Sequence, residues 1–457
     1  MRRPTSSLVA ALLLAAAGLA AGPQGAAAGD FADAKKTFKK GLESDDPAVR
    51  RQAFAALADH DGAAAVDEVA SVLGRETDAS VLLAGVRTLS AFRTPEATNA
   101  IVAAAKAAKG PKRLLLLVAL RDQRGDGGKD FLAETATGTD PQAAAHAALG
   151  LGAKGVAGAA DTLLGLLAHK DWQVRSAAAR ALAMLGKNAG KEAGPRLLAA
   201  LDAAEGRDRT DLVDALAAVT GQDFQDDPAA WKALLAGTAP AQVARAPRAT
   251  TYFAGVAVRG KRVVLILDHS NCTDDPHPFQ ERTRLQDVCK VPGARDVPWM
   301  KLTTTADFLK AHGARLVNDL PEARSVGFVS AGGPRLDVRL VRPQPATAGT
   351  KAAIVKEIES MKAETGLDVL GAIQAALDAG GKEPASWALG PDEIVYMGCG
   401  GPWLAPVKDT ALVGAAAGLR ARLRCVPVHM VGVGAHHTDM FRTIADLSGG
   451  RYVNLAR

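Results

Sequence analysis

The stretch Val263-Val264-Leu265-Ile266-Leu267-Asp268-His269-Ser270 decides the fold of the second half of the chain. Its unbroken apolar run, ended by an aspartate, reads as a strand buried on both faces whose C-terminal tip presents a polar group. Outward from it, similar runs occupy 326–330, 336–341, 394–397, 426–433 and 451–455. Amphipathic segments near 300–312, 350–362, 369–379, 410–423 and 439–447 separate most of them. Such alternation predicts an α/β, doubly wound, mostly parallel sheet covered on both sides. The short link Gly332-Gly333-Pro334 predicts a hairpin and one antiparallel edge strand at 336–341.

In sheets of this class ligands sit beyond the carboxyl ends of the strands, which puts Asp268, His269, Ser270, Asn271 and Cys272 where chemistry is expected. Here the chain resembles the von Willebrand factor A (VWA) domains, whose first metal loop has the pattern Asp-x-Ser-x-Ser. The similarity continues through Gly366-Leu367-Asp368-Val369-Leu370-Gly371, Asp392-Glu393-Ile394-Val395-Tyr396-Met397-Gly398-Cys399-Gly400, His429-Met430-Val431-Gly432-Val433-Gly434 and Leu447-Ser448-Gly449-Gly450-Arg451-Tyr452-Val453. The resemblance implies a Rossmann-like sheet and a site in which two serines, a threonine and two aspartates hold a magnesium-type ion. Hard cations need such oxygens. Asp268 and Ser270 keep the pattern, but Cys272 replaces the second serine, Leu367 falls where the threonine is expected, and Cys399 replaces the second aspartate. The expectation is a degenerate site with no metal, unless a shifted loop brings Thr365 or Asp368 into place.

The four cysteines are Cys272, Cys289, Cys399 and Cys425. Former ligands of one ion would lie close together, so Cys272 and Cys399 are candidates for a disulfide. Cys289, in the Pro- and charge-rich insertion 273–298, competes for either partner, and Cys425, opening a buried strand, reads as a free apolar thiol. A zinc site of Cys272, Cys399, Asp268 and His269 lacks dedicated ligand spacing. A Cys-His hydrolase on Cys399 or Cys272 with His269 lacks a nucleophile elbow. His436-His437 reads as a solvated loop pair, and Gly432-x-Gly434 lacks the third glycine of a dinucleotide site. No catalytic residues, metal or cofactor are assigned.

The first half has a different rhythm. Segments starting at Asp46-Pro47, Asp78-Ala79, Gly110-Pro111, Asp140-Pro141 and Asp171-Trp172 recur about every 30 residues, each beginning with helix N-cap chemistry. The pattern Asp-x-x-Val-Arg-x-x-Ala-x-x-Ala-Leu, clearest at 46–57 and 171–182, resembles HEAT-type repeats and implies an all-α solenoid that binds proteins or spaces its neighbours. Asp227-Pro228 through Trp231 looks like a closing cap. The domain expectation is a helical repeat unit over 30–237, a linker over 238–259 and a VWA-like unit over 260–457.

Arg2-Arg3, the apolar run from Leu8 and the triplet Ala26-Ala27-Ala28 read as a signal peptide over 1–28, giving an exported protein that is periplasmic, cell-envelope or extracellular, with no integral span after cleavage. Lys+Arg 55 against Asp+Glu 49 gives a net charge of +6 without basic runs, so nucleic acid is not an expected partner. An ordinary charged fraction of 23% excludes a disordered chain. Together these predict an exported, non-enzymatic interaction or scaffold protein whose partners are other proteins, associating through the solenoid's concave face, the 273–298 insertion or the top face around Asp268. Metal-dependent adhesion through an incomplete site, or a thiol- or zinc-dependent hydrolase, are the alternatives.

Overall fold

The structure is a computed structural model, which describes residues 31–156, 158–238, 251–274, 276, 279–289, 299–333, 336–381, 389–400 and 409–455. The expected signal peptide lies outside the described residues, as do 239–250 of the expected linker.

Helices α1 (Phe31–Leu42), α2 (Pro47–Ala53), α3 (Ala63–Leu73), α4 (Ala79–Ala91), α5 (Pro95–Ala107), α6 (Gly110–Asp122), α7 (Lys129–Ala136), α8 (Pro141–Ala153), α9 (Ala159–Leu166), α10 (Trp172–Leu185), α11 (Ala193–Leu201) and α12 (Gly206–Thr220) pack as consecutive pairs. The second helix of each pair stacks on that of the next, from α2 to α12. The repeating aspartates do what their chemistry predicts. Asp46, Asp78 and Asp140 each accept backbone N–H groups from the first turn of α2, α4 and α8. Small residues set the spacing, since a Cβ at Gly152 of α8 would lie 2.5 Å from the Ala181 Cα of α10. α13 (Pro228–Leu235) closes the stack, with Asp227 capping it and Trp231 fully buried edge-on to Phe224.

The arginine of the repeat motif has a repeated task. Arg50 bonds back to the carbonyls of Ser44 and Asp45 and pairs with Glu76 at 2.9 Å, just ahead of α4. Arg175 does the same with the His169 and Lys170 carbonyls and with Asp208 at 2.7 Å. Arg209 repeats the device with the Leu201 carbonyl and Asp226, in a sixth unit that the sequence pattern did not reveal. Each guanidinium fixes its own inter-helix loop and clamps it to the following repeat, a use that suits its planar fork of donors.

The remaining elements are β1 (Thr251–Phe253), β2 (Val256–Val258), β3 (Arg262–Asp268), α14 (Phe279–Cys289), α15 (Thr305–Asp319), β4 (Ser325–Ala331), β5 (Gln344–Pro345), α16 (Ala348–Ser360), α17 (Val369–Leu377), β6 (Glu393–Gly398), α18 (Thr410–Leu423), β7 (Val428–Gly432), α19 (Thr438–Ser448) and β8 (Tyr452–Asn454). The main sheet has the order β5-β4-β3-β6-β7-β8, parallel throughout except for the β4–β5 pair. The chain turns outward in both directions from β3, so the order reverses between β3 and β6. Alternate residues of β3 serve two cores. Val263, Leu265 and Leu267 pack with α15 and α16, and Val264 and Ile266 with α17, α18 and α19.

Two expectations change. The edge strand expected at 336–341 is not one. Contact with β4 is limited to the Ser330–Asp337 bridge and the Phe328 amide donating to the Leu340 carbonyl at 2.7 Å, Val338 to Val341 close a turn, and pairing resumes at Gln344–Pro345. Arg339 draws this loop together by bonding both Asp337 and Glu357, which favours a local turn over a ladder. The 238–259 stretch ends in the β1–β2 hairpin, turned through Ala254 and Gly255 at positive φ, with Phe253, Val256 and Val258 buried in the core of the sheet unit. The insertion 273–298 also contains a helix, α14.

α18 joins the halves. Val413, Ala417 and Ala421 face the sheet, Gly414 and Gly418 lie against Met440 and Leu447 of α19, and Ala415 and Leu419 belong to the core of the helical array. α4 and α6 pack on it directly. Around this seam Arg422 pairs with Asp122, Lys261 with Glu205 and Arg259 with Asp214, while the Arg262 guanidinium lies 5.6 Å from the Trp172 ring centre. Part of the array's surface, on α4 and α6, is covered by the chain's own second domain.

Candidate functional site

β3 carries Asp268 to the carboxyl edge of the sheet beside the β3–β6 reversal, where ligands of such sheets sit. Asp268 is fully buried. Its Oδ1 accepts from the Ser270 amide at 2.8 Å and the Ser270 hydroxyl at 2.6 Å, and its Oδ2 accepts from the Gly400 amide at 2.7 Å. The glycine that ends β6 makes this possible, because a Cβ on Gly398 would meet the Asp268 side chain at 2.2 Å. Burial pushes the Asp268 carboxyl above the usual aspartate range, and the bonds from Ser270 and Gly400 oppose that shift without cancelling it.

The sequence-predicted ligand positions converge only in part. Leu367 is buried in the apolar core, in the layer of Val264 and Ile266, and lies against Gly400. Cys399 is buried beside Gly400. Cys272 stands in the short turn Asn271–Asp274 and Cys289 at the end of α14, but both side chains lie outside the described residues. Thr365 accepts from Asn271 at 2.9 Å, and Asp368 caps α17 by accepting from the Gly371 amide at 2.8 Å. The His269 ring bonds the Lys362 carbonyl at 2.7 Å and lies against Gly332. Among the described residues no group of three or more His, Cys, Asp or Glu side chains is arranged to hold a metal ion. Both Asp268 oxygens are met by the chain's own N–H and O–H donors.

Tyr396 of β6 was not singled out from the sequence. It is fully buried, and its hydroxyl has no hydrogen-bond partner among the described residues. Burial first, then Asp268 and Asp368, pushes its ionisation well above the usual tyrosine range, so it stays a neutral phenol beneath the site. His436 is less solvated than expected: it contacts the Tyr452 hydroxyl at 2.6 Å and the Gly434 carbonyl at 3.0 Å, and burial lowers its basicity. At the opposite edge of the sheet, Glu393 accepts from the Arg259 amide at 2.8 Å and lies 2.8 Å from His429, in a geometry too bent for a well-aligned hydrogen bond. Against the effect of burial, His429 and Arg207 hold Glu393 at about 2.

Comparison with known proteins adds one decisive observation. The model of the HEAT-repeat family matches residues 36–121 and 129–217. The N-terminal region is an array of HEAT repeats. No curated protein matches the chain. Among solved structures, a crystal structure of an engineered protein is similar at 23% identity, covering 41% of this chain and 97% of that one, with a TM-score of 0.26. The HEAT array suggests protein partners, and among the described residues no helix is long and apolar enough to cross a membrane.

Proposed function

We propose that this chain is an exported, non-enzymatic scaffold in which a HEAT array carries a VWA-like domain whose ancestral ion site has become a structural hydrogen-bond cluster. The observation that carries the reading is the Asp268 carboxylate, with Ser270 and Gly400 donors on both oxygens. The sheet order, which counted from β3 reads 3-2-1-4-5-6, supports the VWA- or Rossmann-like assignment. With α18 on α4 and α6, partners are met by the rest of the array, by the 273–298 insertion or by the rim around Asp268.

A disulfide from Cys399 to Cys272, with Cys289 as the competing partner, belongs to the same reading. Its support is that the turn bearing Cys272 follows closely on Asp268, whose carboxylate meets the amide of Gly400, the residue next to Cys399. Envelope fractionation, metal analysis and nonreducing peptide mapping of the purified protein test these points together. A cytoplasmic protein sinks the export, bound magnesium in stoichiometric amount sinks the degenerate site, and a fully reduced Cys399 sinks the bridge. For the scaffold itself, cross-linking of the full chain in its native cells should recover a protein partner in stoichiometric yield. Recovery of none would overturn it.

A further inference from the structure

The seam between the HEAT array and α18 holds a side-chain cluster outside the site already described. Cys425, a free thiol, has its Sγ 3.8 Å from Nε2 of His146 on α8. The same Nε2 lies 3.1 Å from the Leu423 carbonyl oxygen. A carbonyl can only accept, so this nitrogen carries the proton and points a donor at both the oxygen and the sulfur. His146 is 1% exposed and its Nδ1 is buried with no hydrogen-bond partner among the described residues. Arg121 of α6 and Arg180 of α10 add two positive charges that act on the thiol. Arg422, which also bears on Arg121 and Arg180, is matched by Asp122.

The backbone at this cysteine is also out of the ordinary. The Cys425 amide bonds the Arg422 carbonyl and the Val426 amide the Ala421 carbonyl, the pattern of a Schellman motif closing α18. That motif places Cys425 in the left-handed region at φ 54, where glycine is the inexpensive residue. A side chain is present where the backbone would favour none, and it is a thiol set among donors and cations. The thiol read from the sequence as free and apolar is free and packs against the array's apolar core, with the His146 donor on its other side.

We propose that Cys425 is a peroxide-reactive cysteine, poised by the Nε2–H donor of His146 that faces its sulfur at 3.8 Å. In the reaction the thiolate sulfur attacks one oxygen of hydrogen peroxide, an S–O bond forms and the O–O bond breaks. The departing hydroxide takes a proton from solvent and leaves as water. The sulfur is oxidised to a sulfenic acid and the peroxide is reduced. Burial alone would raise the ionisation of this thiol, but His146 and then the two arginines outweigh it and bring it below the ordinary cysteine value. The cluster draws on both domains, so the reactivity belongs to the docked chain.

The test uses the full chain at pH 7. It is treated with stoichiometric hydrogen peroxide, the sulfenic acid is trapped with dimedone, and the adduct is mapped by mass spectrometry. In parallel, iodoacetamide alkylation of Cys425 is followed across pH. The adduct should fall on the peptide carrying Cys425, and alkylation at pH 7 should be at least about fivefold faster than in the same chain unfolded in urea. His146→Gln, checked for native circular dichroism, should lose most of that advantage. No dimedone adduct at Cys425, a native rate no faster than the unfolded one, or a folded His146→Gln protein as reactive as the parent would each overturn the proposal.

Discussion

His146 of α8 lies 3.1 Å from the carbonyl oxygen of Leu423 at the end of α18, a bond that ties a helix of the HEAT array to a helix of the sheet domain. It sits within an apolar contact, since Ala415 and Leu419 of α18 share the array's core. A helix apolar around its whole circumference must be covered on every side, and α18 is covered by the sheet, by α19 and by the array. The array thus packs on its own second domain, and what remains of its surface is where the proposed partner would be met.

Separating the two units should therefore be possible from one residue. Leu419→Asp puts a carboxylate into the buried contact with the array, at a cost of several kcal/mol, on the order of that for an unpaired buried charge. Small-angle scattering of the variant should give a larger radius of gyration, and hydrogen exchange should speed up in α4 and α6. An unchanged radius with unchanged exchange would mean that α18 does not hold the halves together. At the rim, Arg422→Glu should weaken docking, and the double exchange with Asp122→Arg should restore much of it.

Asp268→Ala leaves the buried Ser270 and Gly400 amides and the Ser270 hydroxyl without their acceptor. At about 1–3 kcal/mol for a buried donor left unpaired, a loss of roughly 3 kcal/mol is expected. Asp268→Asn keeps one acceptor oxygen but turns an amide N–H₂ toward another donor, so its loss should be smaller. Urea unfolding measures both. Millimolar magnesium should leave the melting temperature of the parent protein unchanged, because an ion stabilises only a fold that binds it. A variant as stable as the parent would show that these bonds do not hold the loop.

The central strand was legible because a run buried on both faces needs continuous apolar sequence, and 263–267 has one followed by Asp268. The repeat starts were legible because N-cap chemistry is local, as at Asp46, Asp78 and Asp140. What escaped depends on distance. The acceptors of Arg50 and Arg175 lie 26 and 33 residues away and vary in type. Gly400 serves Asp268 through its amide, which no side-chain pattern announces. α14 has little apolar periodicity, and the β1–β2 turn uses Ala-Gly instead of a stronger hairpin pair. The docking of α18 left one trace in the sequence: from Ala411 to Leu419 it has no polar face, which is more than a helix covered on one side requires.

His312 of α15 should make the fold sensitive to acid. It is 4% exposed, and burial, followed by Arg315, lowers it to about 3 from an ordinary 6.5. The unfolded chain then binds a proton at this residue that the folded one refuses. Its contribution is complete above pH 6.5 and shrinks as pH falls toward 3. By pH 4.5 the loss is about 2–3 kcal/mol. Asp392, raised to about 6 chiefly by burial, acts in the opposite direction over part of the same range. The quantity to measure is therefore the difference in urea midpoint between parent and His312→Gln at pH 7 and at pH 4.5. The variant should gain on the parent as pH falls, and a constant difference would show that His312 titrates normally.

The motif arginine offers the sharpest test of how the array is held. Arg175 pairs at 2.7 Å with Asp208, whose side chain is only 2% exposed, and also bonds the His169 and Lys170 carbonyls. Burial raises the Asp208 carboxyl, and Arg175 is the group that opposes that shift. Arg175→Ala strands a buried acid and frees a loop, so about 2–3 kcal/mol should be lost, somewhat below the cost of breaking a fully buried pair. Arg175→Lys keeps the charge but cannot reach carboxylate and carbonyls together, and should recover only part. Adding Asp208→Asn to Arg175→Ala should return stability by removing the stranded charge. If the double variant is no more stable than Arg175→Ala alone, the arginine acts on its loop and not through the acid of the next repeat.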